Sequence, residues 1–241
     1  MKKKLIIIFS SIIAFILLLV GVFYIYVGDY YHATEDADNY LESTEYVEVV
    51  DNKNMYTFIP NNADTGIIFY PGGKVEAKSY APLMMELASD YGYLCVLIEM
   101  PFNLAVLDMN AADGIIDNYS NIDSWYMAGH SLGGSMAASY LANNLDDFDG
   151  LILLGAYSTE DFSDKDIDVI SIYGENDGVM NKDKYNKYLS NMPVSFYEEI
   201  VIGGNHAYFG MYKEQAGDGK ASISCLEQIN ITSNLINKYL D

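Results

Sequence analysis

The residues of this sequence that could carry out acyl transfer are a serine between glycines, an aspartate, and one histidine further on. Gly129-His130-Ser131-Leu132-Gly133-Gly134 follows the apolar run WYMA and leads into SMAASYLANN, which has a helical pattern. A serine on so sharp a strand-to-helix turn projects its hydroxyl above a sheet, and the glycines let strand and helix approach without a Cβ clash. Ser131 is the candidate nucleophile, at a helix N-terminus whose dipole favours developing negative charge.

A serine nucleophile needs a base, and a carboxylate to orient that base. The chain has three histidines. His32 lies far upstream and His130 inside the turn itself, so His206, in Gly203-Gly204-Asn205-His206, is the candidate base. Asp177, in Gly174-Glu175-Asn176-Asp177-Gly178, is the favoured acid, with Glu175, Glu160 and Asp161 as competitors. Two backbone N–H donors must receive the oxyanion. One belongs to Leu132, after the serine; the other is placed at Gly73 in Pro71-Gly72-Gly73-Lys74, where adjacent glycines let the backbone approach a substrate. This chemistry needs no metal and no organic cofactor, and neither Cys95 nor Cys225 has metal-ligand spacing.

Strands are expected at 46–50, 55–60, 66–70, 93–99, 125–129, 151–156, 168–173 and 195–201, and helices at 78–91, 104–119, 132–144, 181–190 and 222–239. The later strands are continuously apolar, as in parallel sheets covered on both faces. Two short strands before a βαβ series predict one mostly parallel, eight-stranded α/β sheet flanked by helices and opened by an antiparallel edge. Ligands then bind beyond the carboxyl ends of the strands, where the turns holding Gly73, Ser131, Asp177 and His206 all fall.

From about residue 67 the chain resembles the α/β-hydrolase superfamily, in particular its small dienelactone-hydrolase-like members. YPGGKVEAKSYAPL, MPFNLAVLD, GHSLGG, SIYGENDG and GGNHAYFG carry the resemblance, in the family's order. It implies the α/β-hydrolase fold, with Ser131, Asp177 and His206 as nucleophile, acid and base and Gly73 with Leu132 as oxyanion donors. Dienelactone hydrolases proper carry a cysteine nucleophile, so lactone specificity does not transfer. Only residues 158–167 separate the sixth and seventh strands, which predicts no cap domain.

The N-terminal part reads differently. Residues 5–27 are 23 uncharged residues, at about 1.5 Å per residue roughly 34 Å of helix, enough to cross a bilayer. Lys2, Lys3 and Lys4 predict a cytoplasmic tip, 1–4, and an outward-facing remainder. The apolar run is too long, and lacks the small-residue end, for a cleaved signal peptide. Residues 28–45, with six acids and no lysine, read as a juxtamembrane spacer, and 46–241 as the catalytic domain. Cys95 reads as a buried small hydrophobe rather than half of a bridge to Cys225, and the Asn118 and Asn230 glycosylation motifs as chance.

The net charge is −21, with 34 acidic residues against 13 cationic ones, all lysine. Such a chain is a poor ligand for nucleic acid and has no bidentate carboxylate clamp. The expected activity is hydrolysis of a neutral or cationic small-molecule ester. The alternatives are a thioesterase or peptidase using the same residues, or a membrane-tethered binding or scaffold protein with an inactive hydrolase fold.

Overall fold

The computed structural model describes residues 2–240, and of Lys2 and Leu5 the backbone alone. The chain divides into two compact units, residues 1–30 and 31–241. The first is helix α1 (Lys2–Gly28). Within it, Ile6–Gly28 is the one stretch among the described residues long and apolar enough to cross a membrane.

The second unit is built on strands β1 (Val47–Asn52), β2 (Met55–Pro60), β3 (Thr65–Tyr70), β4 (Leu94–Ile98), β5 (Ser124–His130), β6 (Gly150–Leu154), β7 (Asp168–Gly174) and β8 (Phe196–Val201). They form one sheet in the order β1-β2-β4-β3-β5-β6-β7-β8. β2 pairs antiparallel with β1 and β4, and every other pairing is parallel. All eight strands lie where the apolar runs put them, and the central ones, β3 to β7, are buried on both faces. On β3, Ile67 and Phe69 join a core that includes α2 (Ala81–Tyr91) and α5 (Cys225–Leu240), while Ile68 and Tyr70 join one that includes α3 (Leu132–Ala142). Alternate residues of a strand point to opposite faces, so one strand feeds both cores. The fifth helix, α4 (Lys182–Tyr188), is short. Residues 155–167 join β6 to β7 without a helix or strand, so no cap is inserted there.

The helix expected at 104–119 is absent. The segment instead forms isolated 3-10 turns at Ala105–Leu107 and Ile116–Asn118. Tyr70 explains this: its buried hydroxyl donates to the Met109 carbonyl at 2.9 Å and accepts the Ala112 N–H at 3.0 Å, claiming backbone groups that a helix would use. Asp108, Asn110, Asp113 and Gly114 are turn formers rather than helix formers, and Gly114 takes φ +70°. The helix expected at 78–91 starts as a 3-10 turn, Ala77–Tyr80, and becomes α-helical at Ala81, where Pro82 occupies the first turn.

The stretch read as a spacer is also structured. Residues from Tyr31 onward are docked on the sheet unit, by bridges from Tyr31 to Val75 and from Ala33 to Tyr212, and Glu35–Leu41 forms a 3-10 helix. Lys78 reaches Asp38 at 2.9 Å.

Candidate active site

β5 ends at His130, and Ser131 turns the chain into α3 with φ 52° and ψ −122°. A non-glycine residue in this region costs about 1–3 kcal/mol and persists only where its surroundings enforce it. Here the Ser131 N–H donates to the Leu154 carbonyl at 2.9 Å, fixing the turn against the end of β6. The serine lines an open cleft of about 230 Å³ with Leu132, Tyr157, Val179, Met180 and Asn181.

His206 follows β8 and is buried. Its Nδ1 lies 2.8 Å from Asp177 Oδ2. Asp177 Oδ1 accepts the N–H groups of Val179 and Met180 at 2.9 and 2.8 Å. Burial alone would raise the Asp177 pKa, but the bonds and charge of His206 and these two N–H donors outweigh it and hold the carboxyl below its usual range. An ionised Asp177 requires the proton on Nδ1, which leaves Nε2 as the basic nitrogen. His206 Nε2 is buried and makes no hydrogen bond among the described residues.

The competing carboxylates are engaged elsewhere. Glu175 is exposed and accepts the Gly203 N–H at 2.9 Å, tying the aspartate loop to the histidine loop. Glu160 accepts the Ser139 hydroxyl, and Asp161 caps Ser163. Of the four, Asp177 alone reaches His206.

The N–H groups of residues 72–76 differ in their partners. Gly72 donates to the Tyr80 hydroxyl at 3.1 Å, Lys74 to the Asn103 carbonyl at 2.7 Å, Val75 to Gly72 at 3.1 Å and Glu76 to Tyr31 at 3.0 Å. Gly73 is half-buried and its N–H has no partner among the described residues; the N–H of Leu132, also half-buried, has none either, as befits the first residue of α3. A Cβ on Gly73 would stand 2.8 Å from the Leu132 side chain, so the two expected donors are neighbours.

Four further residues shape the site. Gly155, at φ +51°, passes so close that a Cβ would lie 2.9 Å from His206 Nδ1 and 3.2 Å from Asp177 Oδ2. Tyr80 links Gly72 to the buried His130, whose Nδ1 is 2.7 Å from its hydroxyl. Burial, then the neighbouring His206, pushes the His130 pKa well down, so His130 stays neutral although the two rings are only 4.5 Å apart. An imidazolium forming at His206 then faces no second cation.

The fourth is Asp218. Its Oδ1 accepts Gly178 N–H at 3.2 Å and His206 N–H at 3.1 Å, and its Oδ2 accepts Ala207 N–H at 2.8 Å. One carboxylate therefore clamps the loops of both Asp177 and His206. Its sequence context, Gly217-Asp218-Gly219, reads only as a turn. Small misplacements of reacting groups cost up to about 100-fold. Asp218→Ala is expected to lower kcat by about 10- to 100-fold with KM nearly unchanged, and Asp218→Asn, which keeps one acceptor, by less. Steady-state kinetics on p-nitrophenyl acetate distinguish the two.

An open parallel sheet with a strained serine turn, and with every candidate group at the carboxyl ends of its strands, defines the hydrolase class with this architecture. The model of the alpha/beta hydrolase family matches residues 66–230, and the chain belongs to that family. It is a hydrolase. No curated protein matches it in sequence. Among solved structures it is similar to carboxyl esterase 2 from the mycorrhizal fungus Tuber melanosporum, at 14% identity and TM-score 0.58, over 82% of this chain and 86% of that one. The carboxylesterase CesB from Bacillus subtilis is similar at 12% identity and TM-score 0.58, over 86% and 95%. A dienelactone hydrolase from Anabaena variabilis is similar at 14% identity and TM-score 0.54, over 82% and 96%. Identities this low speak for the fold alone.

Proposed function

We propose that the protein is a serine hydrolase of carboxylic esters that works through an acyl-enzyme. The reading is supported above all by the bonded Asp177–His206 pair, which follows the ends of β7 and β8 as the strained Ser131 turn follows β5 and Gly73 follows β3. Ser131 Oγ attacks the ester carbonyl while His206 Nε2 takes its proton. Gly73 and Leu132 N–H donate to the oxyanion, and Asp177 holds the imidazolium. His206 then protonates the departing alcohol, and water, deprotonated by the same nitrogen, releases the acid.

The apolar helix is read as an uncleaved anchor that leaves the catalytic unit outside the cell, with the three lysines on the cytoplasmic side. N-terminal sequencing of the mature protein tests this: a start at residue 28 or beyond overturns the anchor.

A small substrate is supported by the cleft beside Ser131, whose volume of about 230 Å³ lies below the roughly 300–1,000 Å³ of drug-sized ligand pockets. Charge follows from the sequence after residue 28, where 10 lysines face 34 acids, a balance of 10 − 34 = −24. In a panel of p-nitrophenyl esters, acetate and butyrate are expected to be turned over faster than octanoate, and neutral or cationic esters faster than anionic ones at low salt. A fluorophosphonate should label the wild type and not Ser131→Ala. An unlabelled wild type would overturn the reading.

A further inference from the structure

The segment 31–34 precedes every element of the sheet, yet it is bonded to two loops of the site. Tyr31 N–H donates to the Lys74 carbonyl at 2.7 Å, and the Tyr31 carbonyl accepts the Glu76 N–H at 3.0 Å. Ala33 N–H donates to Glu76 Oε2 at 3.0 Å. Thr34 N–H donates to the Met211 carbonyl at 2.9 Å, on the loop after His206.

Lys74 is the residue after Gly73 and takes φ +61°, a conformation that a lysine does not hold unaided. Both its backbone groups are occupied, the N–H by Asn103 and the carbonyl by Tyr31. The Gly73 N–H lies in the Gly72–Gly73 peptide, whose carbonyl accepts the Val75 N–H. The plane before it is held by Tyr80 through the Gly72 N–H, and the plane after it by Asn103 through the Lys74 N–H. Tyr31 holds the next plane, Lys74–Val75, and so fixes the left-handed Lys74 on which the loop turns.

We infer that Tyr31 is a positioning residue for the oxyanion donor Gly73, and that 31–34 is a strap holding the oxyanion loop rather than a passive spacer. The inference rests on the proposed role of Gly73. It carries a consequence for processing: cleavage before Tyr31 leaves the site intact, whereas loss of 31–34 releases the loop.

The test is made in the full chain. Tyr31→Pro removes the N–H that holds Lys74, and Tyr31→Phe keeps both backbone bonds. For p-nitrophenyl acetate, Tyr31→Pro is expected to lower kcat by about 10- to 100-fold at unchanged KM, part of the roughly 10²–10³ that a lost oxyanion donor costs. The Kd of phenylboronate, whose tetrahedral adduct uses the same hole, should rise by the same factor. A merely smaller folded fraction would lower kcat but leave that Kd unchanged. Tyr31→Phe should stay within about twofold of wild type in both. If Tyr31→Pro does not fold, Glu76→Ala, which removes the Ala33 tie along with the contacts to Lys78 and His32 and keeps the Tyr31 backbone bonds, is expected to raise the boronate Kd by about threefold or more. An unchanged Kd in the folded variant overturns the strap. Retained turnover in Ser131→Ala, measured alongside, overturns the underlying reading instead.

Discussion

Ser131→Ala is expected to lower kcat for p-nitrophenyl acetate by about 10⁴ to 10⁶ with little change in KM, and His206→Ala by a similar amount. The size follows from what each removal leaves. In the proposed mechanism, no acyl-enzyme forms without the Ser131 hydroxyl, and the Gly73 and Leu132 donors alone can still polarise a carbonyl toward water. Without His206 the proposed mechanism has no base to take the hydroxyl proton. The groups act as a unit, so Ser131→Ala/His206→Ala should be scarcely worse than either single variant. Asp177→Asn isolates the third member. An amide cannot accept the Nδ1 proton as the carboxylate does, so the imidazole turns to the tautomer with its proton on Nε2 and loses its function as a base. A loss of about 10⁴ in kcat is expected, with the fold retained. Steady-state kinetics at matched protein concentration measure all four variants. Wild-type turnover by Ser131→Ala would remove the serine from the mechanism.

A feature of this site shows in the sequence where its signal is local. The strands are local: GIIFY and LILLG are apolar runs of strand length bounded by turn residues, and they became β3 and β6. The serine turn is local too, since strand, glycines and helix are contiguous. Asp177 needed more than the sequence, because Glu175 lies two residues away on the same turn. What separates them is that Glu175 is exposed and spends its carboxylate on Gly203 N–H. The residues that hold the site together left no such signal. Asp218 acts on His206 across 12 positions through backbone N–H groups, which any residue possesses. The strap at Tyr31 is likewise a backbone interaction, invisible in side-chain pattern, so an acidic stretch without periodicity read as spacer. The error at 104–119 is the same kind in reverse. The apolar spacing there is helical, and one tyrosine hydroxyl from β3 overrides it, as tertiary contacts routinely override propensity.

Gly133→Ala sets two effects of opposite sign against each other. Gly133 lies in the first turn of α3, where alanine is the better helix former by up to about 1 kcal/mol, so propensity alone forecasts a more stable protein. The position forbids it. A Cβ there would stand 2.2 Å from the carbonyl oxygens of both Tyr70 and Pro71, and both are backbone atoms that cannot rotate away. Either α3 lifts from the end of β3 or the 70–73 loop withdraws. Overpacking of this kind costs about 1–3 kcal/mol, and here the upper end applies because neither neighbour is a flexible side chain. Both escapes also separate Leu132 N–H from Gly73 N–H, so the oxyanion site opens with the same movement. The net expectation is a loss of about 2 kcal/mol in urea unfolding, propensity being outweighed, with kcat/KM down by about 10² to 10³. Unfolding midpoints and kcat/KM on one preparation decide it. A variant more stable than wild type with full activity would mean that helix and loop do not meet at Gly133, and would undo the placement of both oxyanion donors.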